Sequence, residues 1–219
     1  MKRSYQPEIM DDFSIQDERI DEALSELKII NKFLGGISTT KSALNYFIQS
    51  KKDELKILDI GSGSSDNLLA AKSKYPYLHI LSIDKNLRAL SNSKNQTKKI
   101  NSDAFKLPFK SNSCDIIHSA LFLHHFTEEQ IKILLKEFLR IARMGIIIND
   151  LQRSVFALLG IKILTVLFSR SEMVKNDAPL SVKRGFSKQE ILNLLEDVGV
   201  KNFAIKKKWA FRWMVVIKK

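Results

Sequence analysis

The stretch Leu55-Lys56-Ile57-Leu58-Asp59-Ile60-Gly61-Ser62-Gly63-Ser64-Ser65-Asp66 decides how the chain is read. Its first six residues form a short apolar run with the composition of a buried strand. Gly61 and Gly63 follow at once, and glycine lets a backbone turn sharply and approach a ligand closely. A helix is expected from Asp66 to Lys74, stopped near Pro76. A second strand covers His79 to Ile83 and ends at Asp84, which lies 21 residues after Gly63. An acidic side chain there accepts hydrogen bonds from both hydroxyls of a ribose. The spacing therefore points to a nucleoside-binding βαβ unit.

The same turn argues which nucleoside. A dinucleotide site calls for a third glycine at position 66 and a helix N-terminus free to meet pyrophosphate. Position 66 is Asp, whose carboxylate repels phosphate. S-adenosylmethionine has no phosphate and carries a sulfonium cation, which Asp59 and Asp66 do not oppose. A nicotinamide oxidoreductase is disfavoured on the same ground.

Working outward, a helix is expected over about 87–93, a weak strand over 100–103, then a loop through Leu107-Pro108-Phe109. A fourth strand covers Cys114 to Ala120. Thr127 caps a long amphipathic helix running to about Arg143, and a fifth strand spans Gly145 to Asp150. Such alternation argues for a parallel sheet covered on both faces. Ser187, with Glu190 three residues on, forms a capping box for a helix ending at Gly199. Two strands, 200–207 and 210–217, close the chain. Residues 151–185 break the rhythm with an apolar helix and a polar loop at Lys175 to Pro179. Upstream, residues 1–14 are polar and read as poorly packed. A helix follows from about Ile15, then Gly35-Gly36, then a helix from Thr39 to Gln49 capped by Ser38. The expected fold is a Rossmann-like α/β domain: a mostly parallel seven-stranded sheet, a helical cap at 1–52, and a core at 53–219 carrying an inserted cap at 151–185.

These pieces resemble the class I S-adenosylmethionine-dependent methyltransferases. The match is carried by Ile57 to Gly63, by Ile83-Asp84, by Asp103-Ala104-Phe105-Lys106-Leu107-Pro108-Phe109, and by Cys114-Asp115-Ile116-Ile117 with Leu123-His124-His125-Phe126. The resemblance implies that Asp103 binds the adenine amine and Ala104 a neighbouring backbone site. The family's third glycine is Ser65 here, a residue expected to avoid positive φ. Candidate cofactor contacts are Asp59, Gly61, Ser62, Gly63, Asp84, Lys85, Asp103, Ala104 and Ser119. Glu8 to Asp12, Ile30 to Gly36 and Asn176 to Phe186 resemble a bacterial subgroup often encoded beside polyketide synthases, which implies an aromatic or quinone-like acceptor.

Transfer to a hydroxyl needs alignment with the methyl group and a proton acceptor. His125 and His124, at the carboxyl edge of the sheet, are the leading candidates, with Asp177 and Arg184 beside them and Asp150 and Arg153 as alternatives. No metal site is expected, and the single cysteine, Cys114, excludes a Cys-based zinc site and an internal disulfide. The apolar run Val155 to Phe168 reads as core, as a lid, or as a face for a membrane or second subunit. Trp209, Phe211 and Trp213 read as sheet core. The net charge of +12 favours anionic partners and keeps an RNA-directed methyltransferase as the alternative. Base-amino methyltransferases, however, carry an Asn/Asp-Pro-Pro-aromatic run where this chain has Ser119-Ala120-Leu121-Phe122. The apolar run and basic tail also raise a membrane adaptor with a relic pocket. Without a signal-like apolar N-terminus, a cytoplasmic protein with a small-molecule acceptor is expected.

Overall fold

The computed structural model describes residues 1–12, 14, 15, 17–50, 52–91 and 97–219. Seven strands form one sheet: β1 (Leu55–Ile60), β2 (Leu78–Asp84), β3 (Lys98–Asn101), β4 (Cys114–Ala120), β5 (Ala142–Leu151), β6 (Phe203–Lys208) and β7 (Arg212–Lys218). Their order is β3-β2-β1-β4-β5-β7-β6, parallel except for β7, which is inserted antiparallel between β5 and β6. The order reverses direction between β1 and β4, which is where open α/β sheets bind ligands at their carboxyl ends.

Eight helices surround it: α1 (Glu18–Phe33), α2 (Gly36–Leu44), α3 (Asp66–Lys72), α4 (Leu87–Ser91), α5 (Glu128–Ile141), α6 (Val155–Phe168), α7 (Glu172–Arg184) and α8 (Lys188–Asp197). One sheet face packs Ile60, Ile117 and Ile146 against Phe138 of α5 and Leu194 of α8. The other packs Ile57, Ile116 and Ile147 against Leu44 of α2 and Leu68 of α3. A third cluster joins α1, α6 and α7 through Ile20, Ala23, Ile161 and Val174.

Several expectations are corrected. The second helix starts at Gly36 with Gly35 as its cap, not at Thr39 after a Ser38 cap, and ends at Leu44, not Gln49. The helix after β2 is described to Ser91; its expected end at Ser93 lies outside the described residues. Lys175 to Pro179 is not a loop but the middle of α7. The Ser171 hydroxyl accepts from Val174 N–H at its start, and Met173, Val174, Ala178 and Val182 bury one face, which outweighs Pro179. Residues 1–12 are not loose. Ser4 N–H donates to Lys183 O, the Asp177 carboxylate accepts from Ile9 and Met10 N–H, and Glu8 is buried. The segment is a strap tied to the end of α7.

Candidate active site

A cavity of about 1330 Å³ opens at the carboxyl ends of β1, β2 and β4 and continues to the strap, α6 and the β6–β7 turn. At its nucleoside end stands the turn after β1. Gly61 has φ 63°, and a Cβ there would lie 2.1 Å from the Phe122 ring. Only glycine fits. The turn is fixed by Ser62 N–H donating to Ile83 O. Ser65 has φ 56° and ψ 23°, contrary to the expectation that a serine avoids this region. Its buried hydroxyl lies 2.7 Å from that of Ser82, so tertiary bonding offsets the left-handed strain.

Asp84 meets the turn as its position in the sequence requires. One carboxylate oxygen accepts Gly63 N–H at 2.7 Å and the other accepts Asn86 N–H at 2.8 Å. Burial pushes its pKa up in spite of these bonds, with Asp59 adding to the rise. Such a carboxylate gains from further donors, and ribose hydroxyls supply two. At Gly63 a Cβ would meet nothing within 4 Å, so the backbone itself faces open space. Asp103 accepts Phe105 N–H at 3.0 Å and pairs with Lys85 at 3.1 Å. Ala104 lines the same wall. These residues fit an adenosine carrying a cationic neighbour.

Two of the candidate cofactor contacts, Asp59 and Ser119, and the neighbouring Asp66 depart from the expectation. The Asp59 carboxylate is buried and holds His118 Nδ1 at 2.7 Å, its register partner across β1 and β4. Thr40 Oγ1 lies 3.0 Å from His118 Nε2 and accepts from Asn149 Nδ2, and Arg212 donates to Asn149 Oδ1. Burial lowers the Arg212 pKa to about 10, with Asp150 opposing. This buried chain braces the cavity floor. Asp66 is not a bare charge: Lys28 pairs with it at 2.7 Å. The repulsion of phosphate therefore rests on Asp84 and Asp59. Ser119 does not line the cavity; Ala120 and Leu121 beyond it do.

At the other end, the turn after β4 carries both histidines. Asp150 collects N–H groups from Leu123 and His124 on one oxygen, while its other oxygen holds His124 Nδ1 at 2.6 Å. Glu8 Oε1 of the strap lies 3.6 Å from His124 Nε2. Burial opposes charging His124, but Asp150 and Glu8 overcome it and raise its pKa to about 9. Buried at 2% side-chain exposure, His124 is tied between Asp150 and Glu8. His125 differs: its side chain is 23% exposed, it lines the cavity, and its Nδ1 lies 2.7 Å from Asp11 Oδ1.

Arg184 donates to His124 O, His125 O, Gln6 O and Asp11 Oδ2, the last at 2.7 Å. Four of its five N–H groups hold the strap to the turn, and it also lines the cavity. Asp177 and Arg153 are likewise structural. The first caps the strap, and the second donates to Gly185 O and Glu190; neither lines the cavity. Between the two ends stand Phe105, Phe122 and Phe126, packed edge to face with centroids 5.4 and 4.8 Å apart.

Among the described residues, one group, Glu8, His124 and His125, gathers donor atoms within 4.8 Å as a metal would require. The two rings stack, however, with centroids 4.2 Å apart and planes inclined by 32°. A ring nitrogen ligates in its ring plane, and one ion cannot lie close in both planes. Within the group, His124 is tied to Glu8 on one side and to Asp150 on the other.

Sequence reading missed Glu8 and Asp11 as site residues, and with them His118 and Arg212. His118 could have been found from the register of β1 beside β4, whereas the strap has no local signal.

Residues 58–148 match the family model described as a methyltransferase domain. No curated protein matches in sequence. A plantazolicin methyltransferase crystallised with a triazolic desmethyl analogue and S-adenosylhomocysteine superposes with a TM-score of 0.68 at 18% identity, covering 94% of this chain and 92% of that one. An Aquifex aeolicus S-adenosylmethionine-dependent methyltransferase gives 0.64 at 16% identity, covering 93% and 99%. Human N-acetylserotonin methyltransferase, crystallised with S-adenosylmethionine, gives 0.64 at 16% identity, covering 100% of this chain and 63% of that one. Residues 58–148 carry a methyltransferase domain, its fold is shared with S-adenosylmethionine-dependent methyltransferases, and S-adenosylmethionine is its methyl donor.

Proposed function

We propose that this enzyme methylates an oxygen of a small, hydrophobic, aromatic or quinone-like acceptor in the cytoplasm. The observation that carries this reading is the size and division of the cavity. Its volume of about 1330 Å³ exceeds the roughly 300–1,000 Å³ usual for one small ligand, and its far end is walled by Phe122, Phe126, Leu164 and Phe156. Two molecules fit end to end, the second against aromatic rings. The plantazolicin and N-acetylserotonin enzymes are named for small-molecule acceptors.

In this reading Asp84 grips the ribose, Asp103 and Ala104 hold the adenine, and Gly61 to Gly63 let the backbone approach the rest of the donor. Bound S-adenosylmethionine supplies an electrophilic methyl group. His125, oriented by Asp11, takes the acceptor's proton on Nε2. Protonated His124 holds Glu8 and so fixes the strap. Residues 1–52 and the insert 151–185 cap a core made by the rest of 53–219 and exclude water from the reacting groups.

The test is calorimetric binding of S-adenosylmethionine, followed by transfer of labelled methyl to a panel of alkyl phenols, hydroquinones and matched amines. Turnover on the hydroxyl compounds is expected, and His125→Ala should lower it by about 10²–10⁴-fold with unchanged donor affinity. Transfer to amines alone, or full activity in His125→Ala, overturns the assignment of atom or base.

A further inference from the structure

We propose that the face around the cavity mouth docks on an anionic lipid membrane, with α6 lying flat in the headgroup region. The outward side of α6 is apolar apart from Lys162 at its middle. Phe156, Leu159, Ile163, Val166 and Leu167 recur at helical spacing and are all exposed, Phe156 at 77% and Val166 at 72%. The inward side, Ala157, Ile161 and Thr165, is buried, and its apolar residues pack against α1 and α7. The fold is thus satisfied on one side of this helix and leaves the other side to a partner.

A second projection stands at the same mouth. Trp209, 74% exposed, donates Nε1–H to Phe33 O at 3.2 Å, and Phe33 and Phe211 are exposed beside it. Lys207, Lys208, Trp209 and Phe211 line the cavity together with Phe156 and Gly160.

The charge around both projections selects the occupant. Arg153 is paired with Glu190 and Arg212 is buried, but exposed Lys162 stands on α6 and Lys207 and Lys208 stand at the mouth, and neither 151–171 nor 198–219 contains an acidic residue. An apolar helix, an exposed tryptophan and lysines without acids are what an anionic bilayer surface attracts. A second copy would set these like charges against each other, in a chain whose net charge is +12. Among the described residues no helix is long and apolar enough to cross a membrane. The 14 residues of α6 extend about 21 Å, enough to lie in the interface. If the acceptor reading above holds, a lipophilic acceptor passes from bilayer to cavity without crossing water. The docking itself does not depend on that reading.

The test is co-sedimentation of the full chain with vesicles of phosphatidylglycerol and phosphatidylcholine, against phosphatidylcholine alone. Binding is expected to the anionic vesicles, weaker by at least about tenfold on neutral ones and at high salt. Trp209 emission should shift to the blue, and Trp209→Phe should abolish the shift. The triple variant Leu159→Glu, Ile163→Glu, Val166→Glu, none of whose residues lines the cavity, should lose vesicle binding at least about tenfold and keep its S-adenosylmethionine affinity. No binding to anionic vesicles, or equal binding by the triple variant, overturns the proposal. So does a dimer by light scattering that the triple variant dissolves. Donor affinity measured on each sample separates a failure of docking from a failure of the enzyme reading.

Discussion

The two ends of the cavity are built by opposite means. At the nucleoside end the partners are close in the chain: Gly63 and Asp84 are 21 residues apart and belong to one βαβ unit. At the acceptor end Arg184 reaches Asp11 across 173 residues and Arg3 reaches Phe126 across 123. The first end is a matter of backbone shape held by neighbouring strands. The second is a clamp of ion pairs, in which Glu8 and Asp150 face His124 and Asp11 faces Arg184, with His125 beside them. Such a clamp fails when one partner is lost, because the others remain buried without it.

Four changes would break or sharpen that contrast. Arg184→Met should have the largest effect, about 3–5 kcal/mol of stability, read by urea denaturation; a loss under about 1 kcal/mol would mean the strap is held by something else. Asp84→Ala should weaken S-adenosylmethionine binding about 100-fold, from the loss of two hydrogen bonds to a charged group, and cost about 1–3 kcal/mol of stability because Gly63 and Asn86 N–H lose their acceptor. Unchanged calorimetric affinity would misplace the nucleoside end.

The third change is in pH. The pKa of His124 is raised to about 9 in the folded chain from about 6.5 when unfolded, so folding favours its protonated form. Its stabilising contribution is complete below about pH 6.5, declines as pH rises and is gone above about 9. Melting temperature followed across that window should fall, and His124→Gln should flatten the curve; parallel curves would remove His124 from the clamp. The smallest effect is at Ser65. Ser65→Ala keeps the left-handed strain and loses the bond to Ser82, costing about 1 kcal/mol. Ser65→Gly relieves strain while losing the same bond, so it should fall within about 1 kcal/mol of the parent. A glycine variant less stable than the alanine variant contradicts the strain.

The contrast also explains what the sequence made legible. Strands β1, β4 and the α8 capping box were readable to within a residue or two, because periodicity and capping are local. The Asp84 contact was readable for the same reason. Ser65 was misread because a local rule on φ ignored Ser82 on the next strand. Lys175 to Pro179 looked like a loop because polar residues and a proline outvoted an apolar face that only α1 and α6 make meaningful. The strap was invisible: Glu8 and Asp11 have no pattern of their own and gain meaning only where the fold brings them to His124 and His125. Trp209 and Phe211 have strand-like composition, yet they sit in the β6–β7 turn and not in the core, where Trp213 alone is buried.

One contact joins the two ends mechanically. The Phe122 ring occupies the space that a side chain at position 61 would need, and that ring belongs to the aromatic wall facing the acceptor. A methyl group added at Gly61 would force Phe122 out of its place against Phe126. Donor affinity and acceptor selectivity would then change together, so a single residue with no side chain sets the clearance for both molecules.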